Sequence, residues 1–252
     1  METVSVFPHF TMSAASLLKV PLLLSAAYFS YCSGKSPQPP PKDSEAAKFD
    51  NVEKQASRTI FRFGPPTLRT IMIATCIAES AIIVAQNYRS HPLSRRVLDV
   101  LLQGASGSSI RTSRASVIGW ALLAGGTLLR LVCYRHLGRF FTFELALHDN
   151  HKLVTSGPYS IVRHPSYSGI IAAVAGVVLI QLGAGSWWEA LGLWRGFWGV
   201  ACGLAWVAIW SVIPGSAAMR TRLEDIVLRR EFGQEWEDWA KRTPYRLFPG
   251  IY

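Results

Sequence analysis

Charge is scarce in this sequence. Asp, Glu, Lys and Arg make up 17% of the 252 residues, against roughly 25% in an ordinary soluble domain. Cysteine is scarce too. Cys32, Cys76, Cys133 and Cys202 are scattered, form no C-x-x-C, and each lies in or at the edge of an apolar block. Neither a disulfide framework nor a zinc knuckle fits that spacing, so they read as small buried apolar residues. The composition also excludes a disordered or collagenous chain. Half of the residues are hydrophobic, 12% are aromatic, and mean hydropathy is +0.21. The apolar residues come in blocks of membrane-spanning length, which argues against a soluble globule.

A hydrocarbon core of roughly 30 Å takes about 20 residues of helix, and no fewer than about 17. Five segments qualify: residues 12–31, 68–87, 117–134, 168–184 and 196–213. Backbone groups find no water in hydrocarbon, so each segment is predicted to be helical. Lys19 and Pro21 interrupt the first, and Pro214 is expected to stop the fifth. Ser25-Ala26-Ala27 resembles a signal-cleavage site, but the stretch before the apolar run has no basic residue and contains Glu2, so a retained span is expected. The fold class predicted is an all-α, polytopic integral membrane protein with about five transmembrane helices and cytosolic C-terminal helices.

Net charge is +10 and the pI about 9.8. Such a balance can suit nucleic acid. Here the basic residues lie between apolar blocks, so topology explains them and no nucleic-acid partner is expected. Loop one (32–67), loop three (135–167) and the tail after Pro214 carry six, four and seven Lys and Arg. The N-terminal tail, loop two (88–116) and loop four (185–195) carry none, five and one. The positive-inside rule then predicts a cytosolic C-terminus.

Three regions are expected. Residues 1–67 hold the first span and a Pro-rich cytosolic linker, with Ser36-Pro37-Gln38-Pro39-Pro40-Pro41 too extended to bury a core. Residues 68–134 hold two spans and an extracytosolic loop, in which Val97–Leu102 suits a short interfacial helix and Gly104–Ser109 a flexible stretch. Residues 135–252 hold the motifs. In the tail, Leu223, Ile226, Val227 and Leu228 fall near helical spacing, and Gly233 suits a helix stop. A second short helix places Trp236 and Trp239 on one face before Pro244. It could lie on the membrane surface or pack on its own loops.

Chemistry concentrates in two stretches. The first runs from His151 through Gly169. Gly157-Pro158 signals a turn, and Pro165 suits the first position of a helix, since it has no N–H to leave unpaired. The N–H groups of that helix end favour an anion, and Arg163 and His164 add donors beside them. Tyr159 and Tyr167 offer ring faces to a cation. The second stretch is Arg220-Thr221-Arg222-Leu223-Glu224-Asp225, with Arg220 and Glu224 on one helical face. An isolated pair of that kind is usually a surface ion pair, but here it could meet the donors of loop three. Arg130 and Glu79 fall inside spans, where ionisable groups are costly. Arg130 is near a helix end and can snorkel; Glu79 is deeper, where pairing or a polar lining fits. His148 and His151 are three apart, but no Cys or carboxylate joins them at ligand spacing, and no metal is expected.

Together the two stretches resemble the isoprenylcysteine carboxyl methyltransferase family. The family's loop pattern H-x-L-V-x-x-G-x-Y-x-x-x-R-H-P-S-Y-x-G is matched at every fixed position by His151 through Gly169. Its tail pattern is matched by Arg220, Glu224-Asp225, Leu228, Phe232-Gly233, Trp236 and Pro249, with Asp225 where the family usually has Glu. The resemblance covers residues 115–252. It implies methyl transfer from S-adenosylmethionine to the C-terminal carboxylate of a prenylated cysteine in CaaX-processed proteins, at the endoplasmic reticulum with the site facing the cytosol. It also implies cofactor contacts at His151, Lys152, Leu153, Val154, Tyr159, His164, Pro165, Ser166, Tyr167 and Glu224, and substrate carboxylate binding at Arg220 as the catalytic residue. Glu144 is a further cofactor candidate, at a spacing that does not settle it. Two enzyme classes share parts of the pattern: phospholipid N-methyltransferases, and NADPH-dependent sterol reductases, whose last residues resemble Pro244–Tyr252. A non-catalytic membrane scaffold is the third alternative.

Overall fold

The computed structural model describes residues 14–38, 55–105, 110–141 and 152–252. Among these the regular structure is entirely helical. In chain order it comprises α1 (Ala14–Leu17), α2 (Lys19–Ser33), α3 (Gln55–Asn87), α4 (Pro92–Leu102), α5 (Arg114–Leu137), α6 (Pro165–Leu182), α7 (Trp187–Ala190), α8 (Phe197–Phe232) and α9 (Gln234–Arg242). Four stretches of helix are long and apolar enough to cross a membrane: Pro66–Asn87, Arg114–Phe140, Pro165–Ala190 and Phe197–Phe232. They match the second to fifth expected segments, and the chain is a polytopic integral membrane protein. The first segment forms α1 and α2 with a break at Leu18, and neither helix reaches spanning length alone. The loop-two helix is present as α4. Its N-cap His91 side chain accepts from the Leu93 N–H, and Pro92 sits at the first helical position.

The helix starts and stops have local causes. Ser113 caps α5 in a capping box with Ser116. Pro165 opens α6, as the sequence predicts. Gly233 ends α8 at φ 52, a conformation that favours glycine, with its N–H donating to Arg229 O. Pro214 departs from expectation. It does not stop the fifth span: α8 runs unbroken for 36 residues through it. A proline removes one backbone donor, but in an apolar setting the remaining backbone groups have no partners except each other, so the ladder resumes on either side.

Packing between α5 and α6 is set by glycines. A Cβ on Gly126 would lie 2.3 Å from Gly169 O, and one on Gly176 would lie 2.4 Å from Gly119 O. The small residues of the fourth span therefore serve close helix contact, across the boundary expected near residue 134. α2 lies against this pair, with Trp120 Nε1 donating to Ser25 Oγ at 2.8 Å. The core combines Leu23, Met72, Ile82, Leu123, Val174, Val177 and Trp210 from five helices.

Buried polar groups tie each end of the bundle. At one end Lys19 pairs with Glu79 and also donates to Gly185 O at 2.6 Å, while the Trp187 N–H donates to the second Glu79 oxygen at 3.2 Å. Pairing thus explains Glu79. At the other end Arg130 is buried and does not snorkel. It donates to Ser166 O at 3.1 Å and Ser33 O at 3.3 Å, and lies over the Tyr134 ring.

Candidate active site

The two motif stretches meet at the Arg130 end. α6 begins there, and α8 brings its last third alongside. Twenty residues of α8 from Phe197 reach Ser216, about the thickness of the hydrocarbon core. Arg220, Glu224 and Asp225 therefore sit beyond that depth, on the same rigid helix.

His164, the N-cap of α6, is buried between the two acids. Its Nε2 is 2.9 Å from Asp225 Oδ1, and its Nδ1 is 3.2 Å from Glu224 Oε2. The Tyr167 hydroxyl donates to the other Glu224 oxygen, and the Tyr167 ring stacks on His164 at 5.9 Å between centroids. Burial alone would disfavour the His164 cation, but hydrogen bonds and charge from Asp225 and Glu224 outweigh it and raise its pKa to about 9. At neutral pH His164 is an imidazolium donating on both sides.

Asp225 gathers further cations. Arg163 NH2 reaches its Oδ2 at 3.3 Å and Arg246 Nε at 2.8 Å. Arg163 NH1 also donates to the Thr243 and Pro244 carbonyls, each at 2.9 Å. The backbone joins the same elements: the Arg163 N–H donates to Tyr245 O at 2.9 Å and the His164 N–H to Arg246 O at 2.8 Å. The C-terminal segment thus straps the start of α6 to α8. Arg246 escapes a reading based on the two motifs, because it lies in neither. The sequence signal was Asp225 itself, since a second buried acid requires more positive charge than one histidine supplies.

The expected anion site at the start of α6 therefore already holds anions, the carboxylates of Glu224 and Asp225. Arg220 is 7% exposed and not on the surface, and its charge is felt at both Glu224 and Tyr167. The Tyr rings are not both free. Tyr167 stacks on His164, while Tyr159 packs with Cys133 and Trp239 and accepts the Trp239 indole N–H on its carbonyl at 3.0 Å. That contact also shows α9 packing on its own loops through Trp239. Pro165 and Ser166 form the buried first turn of α6; Leu153 and Val154 are half-buried against the Tyr159 cluster, and Lys152 is exposed. His151, His148 and Glu144 lie outside the described residues. No cluster of three metal-ligating side chains occurs among the described residues.

Beyond the charged cluster lies a small, partly open apolar cleft. Ile170, Ala173, Val174 and Val177 of α6 face Trp210 and Ile213 of α8 across it, with Arg69, Ser30 and Ser33 among the lining. Tyr167, Ile170, Val174 and Val177 share one stripe of α6, and Glu224, Arg220, Ala217, Ile213 and Trp210 one stripe of α8. The same two helix faces carry charge at one end and an apolar channel at the other.

Residues 118–186 match the sequence model of the isoprenylcysteine carboxyl methyltransferase family. A probable protein-S-isoprenylcysteine O-methyltransferase of Oryza sativa subsp. indica is 31% identical over 131 residues, covering 51% of this chain and 58% of that protein. Protein-S-isoprenylcysteine O-methyltransferase B of Arabidopsis thaliana is 30% identical over 132 residues, covering 51% and 57%. A Delta(14)-sterol reductase of Mus musculus is 26% identical over 105 residues, covering 40% of this chain and 20% of that protein. The match thus spans less than two thirds of the methyltransferases' length. Over residues 118–186 the chain is similar to the isoprenylcysteine carboxyl methyltransferase family.

Proposed function

We propose that the protein methylates the C-terminal carboxylate of a prenylated cysteine, with S-adenosylmethionine as donor, at the cytosolic face of the endoplasmic reticulum membrane. The observation that carries this is the shared pair of helix faces. An amphiphile with an anionic head and an isoprenoid tail needs a cationic group at the membrane boundary and an apolar channel leading from it. Arg220 and the cleft below it, lined by Ile213 and Trp210, provide both in that order. The CaaX-processed substrate, the lipid bilayer and the cytosolic orientation belong to the same proposal.

The charge balance agrees. Arg163, His164, Arg220 and Arg246 are cationic against Glu224 and Asp225 among the described residues of the cluster. Surplus positive charge suits a carboxylate acceptor better than the amine of a phospholipid.

The residues present fit the donor. The Glu224 side chain is 23% exposed while Tyr167 and His164 fix both its oxygens, so it can accept from an ammonium group without reorienting. The Trp236 indole N–H is buried with no partner among the described residues, on the same Cys133–Tyr159–Trp239 cluster that Leu153 and Val154 pack against, and is a ready donor to a bound ligand. When bound, S-adenosylmethionine would supply an activated methyl on its sulfonium, to which a carboxylate oxygen can bond as the S–C bond breaks and S-adenosylhomocysteine leaves, with no general base. The protein's work is then alignment and exclusion of water. Arg220 orients the acceptor carboxylate by charge-assisted hydrogen bonds. The apolar cleft lets the tail stay out of water, where each exposed CH₂ would cost about 0.8 kcal/mol. His151, Lys152, Leu153, Val154, Tyr159, Pro165 and Ser166 complete the proposed cofactor wall.

Transfer of labelled methyl from S-adenosylmethionine to N-acetyl-farnesylcysteine by the purified protein tests the proposal. Methylation of that substrate and not of phosphatidylethanolamine is expected. No transfer to the prenylcysteine, or binding of NADPH in place of S-adenosylhomocysteine, overturns it.

A further inference from the structure

We infer that Asp225 is a positioning residue that acts through His164: it fixes the imidazole so that the Nδ1–H is held against Glu224, setting the carboxylate that receives the cofactor. The inference rests on the proposed role of Glu224 and deepens it.

Proton count sets the state of the His164 ring. His164 has a carboxylate at each ring nitrogen, at 2.9 Å on the Asp225 side and 3.2 Å on the Glu224 side. A neutral imidazole carries one N–H, so one carboxylate would face a lone pair. Only the imidazolium satisfies both. The two acids are unequal in every other respect. Asp225 is 4% exposed, and its second oxygen is taken by Arg163 and Arg246. Glu224 is partly open and bound otherwise by the Tyr167 hydroxyl. The enclosed acid therefore has no room for a ligand, and its means of acting on the open one is the ring between them.

The groups around the ring come from three elements. Asp225, Glu224 and Arg220 belong to α8, with Arg220 acting on Glu224. Arg163 precedes the ring in the chain, and Tyr167 stacks on it from α6. Arg246 of the C-terminal segment stands on the far side of Asp225. With Asp225 neutralised, Arg163 and Arg246 remain close to the ring with no carboxylate between. Both then oppose the His164 cation, so near neutral pH the ring gives up its Nε2 proton and its charge; the neutral ring, no longer held at Nε2 by a carboxylate, grips Glu224 less firmly.

The test is S-adenosylhomocysteine affinity as a function of pH for the full chain in detergent. The wild type is expected to bind evenly between about pH 6 and about pH 8, because His164 stays protonated throughout. Asp225→Asn is expected to bind within about threefold of wild type at about pH 6 and to weaken by at least about tenfold by about pH 8. Asp225→Glu should restore the even profile. A structural role alone would lower affinity equally at every pH, and a flat Asp225→Asn profile overturns the inference. If Asp225→Asn does not fold, the His164 ring titration in the wild type decides by NMR of labelled histidine. A midpoint above about 8 supports the inference, and one at or below about 6.5 refutes it. If the wild type binds no S-adenosylhomocysteine at any pH, the proposed function fails. The ring titrations of wild type and Asp225→Asn then judge the Asp225–His164 coupling by themselves, equal midpoints refuting it.

Discussion

The Lys19–Glu79 pair gives a prediction whose size follows from burial. Lys19 is 1% exposed and Glu79 4%, and between them they tie α2, α3 and the turn after α6. Lys19→Met keeps the length of the side chain and removes its charge. Among the described residues it leaves a buried carboxylate with only the Trp187 N–H at 3.2 Å, and it strips Gly185 O of a donor. Leaving one member of a buried pair unpaired typically costs about 3–5 kcal/mol. Glu79→Leu should cost a similar amount by stranding the ammonium. The double variant strands no charge. It forfeits the bonds to Gly185 O and from the Trp187 N–H, at about 1 kcal/mol each. It should therefore be destabilised by only about 2 kcal/mol, less than either single variant.

Reversible unfolding in mixed micelles, followed by tryptophan fluorescence, measures all four corners of the cycle. A double variant as unstable as the two single effects combined would refute the reasoning, since it would mean that the two groups do not compensate each other. Single effects below about 1 kcal/mol would refute it differently, by showing that both groups are solvated.

Four further outcomes are expected. Arg220→Ala should lower turnover on a prenylcysteine while S-adenosylhomocysteine affinity survives, and Glu224→Ala should abolish that affinity; isothermal titration beside the methylation assay separates the two. Gly126→Ala places a Cβ 2.3 Å from Gly169 O and 2.8 Å from Ala173 N, both backbone, and should cost about 1–3 kcal/mol, whereas Gly125→Ala meets nothing within 4 Å and should leave the melting temperature unchanged or raised. Raising the His164 pKa from 6.5 to about 9 stabilises the fold by on the order of 3 kcal/mol, fully present below about pH 6.5 and lost as pH rises through about 9; an unfolding free energy that is flat across that window would count against the ion cluster. A tag after Tyr252 should be digested by protease added to sealed microsomes, and its protection would reverse the orientation drawn from the basic loops.

Much of this was legible from residues alone, and the failures share a cause. Apolar length found four spanning helices, because a run of 18 apolar residues has few other uses. Pro165 marked the start of α6 because a missing N–H is harmless there. Pro214 misled because the same missing N–H was judged by soluble rules, while α8 continues through it. Arg130 and Lys19 misled in the same way. Each looked like an interruption or a snorkelling end, yet each is buried on partners 36 to 166 residues away in the chain. Periodicity reports which face of a helix is apolar, not which distant acceptor will meet a lone cation. The cleft was equally hidden. The fourth span holds both small and bulky apolar residues, and α6 turns a different face to each neighbour: Gly169 and Gly176 against α5, Ile170, Val174 and Val177 toward α8.

The uninterrupted α8 is what makes the proposed chemistry geometrically possible. The head and tail of an amphiphilic substrate are joined covalently, so the protein must hold their two binding places at a fixed spacing. From Ile213 to Glu224 the axial separation is about 16 Å, at 1.5 Å per residue, provided the helix does not break. A hinge at Pro214 would let the Arg220–Glu224 face swing relative to the Trp210–Ile213 face. An aligned approach of a carboxylate to a methyl group loses rate steeply with misplacement of about 1 Å. The Asp225 cluster bears on the same requirement from the other side, because Arg163, His164 and Arg246 lock the exposed end of α8 to the start of α6 and to the C-terminal segment. Continuity of the backbone fixes the spacing along the helix, and the ion cluster fixes its rotation against α6, so the charged end and the apolar channel stay in register.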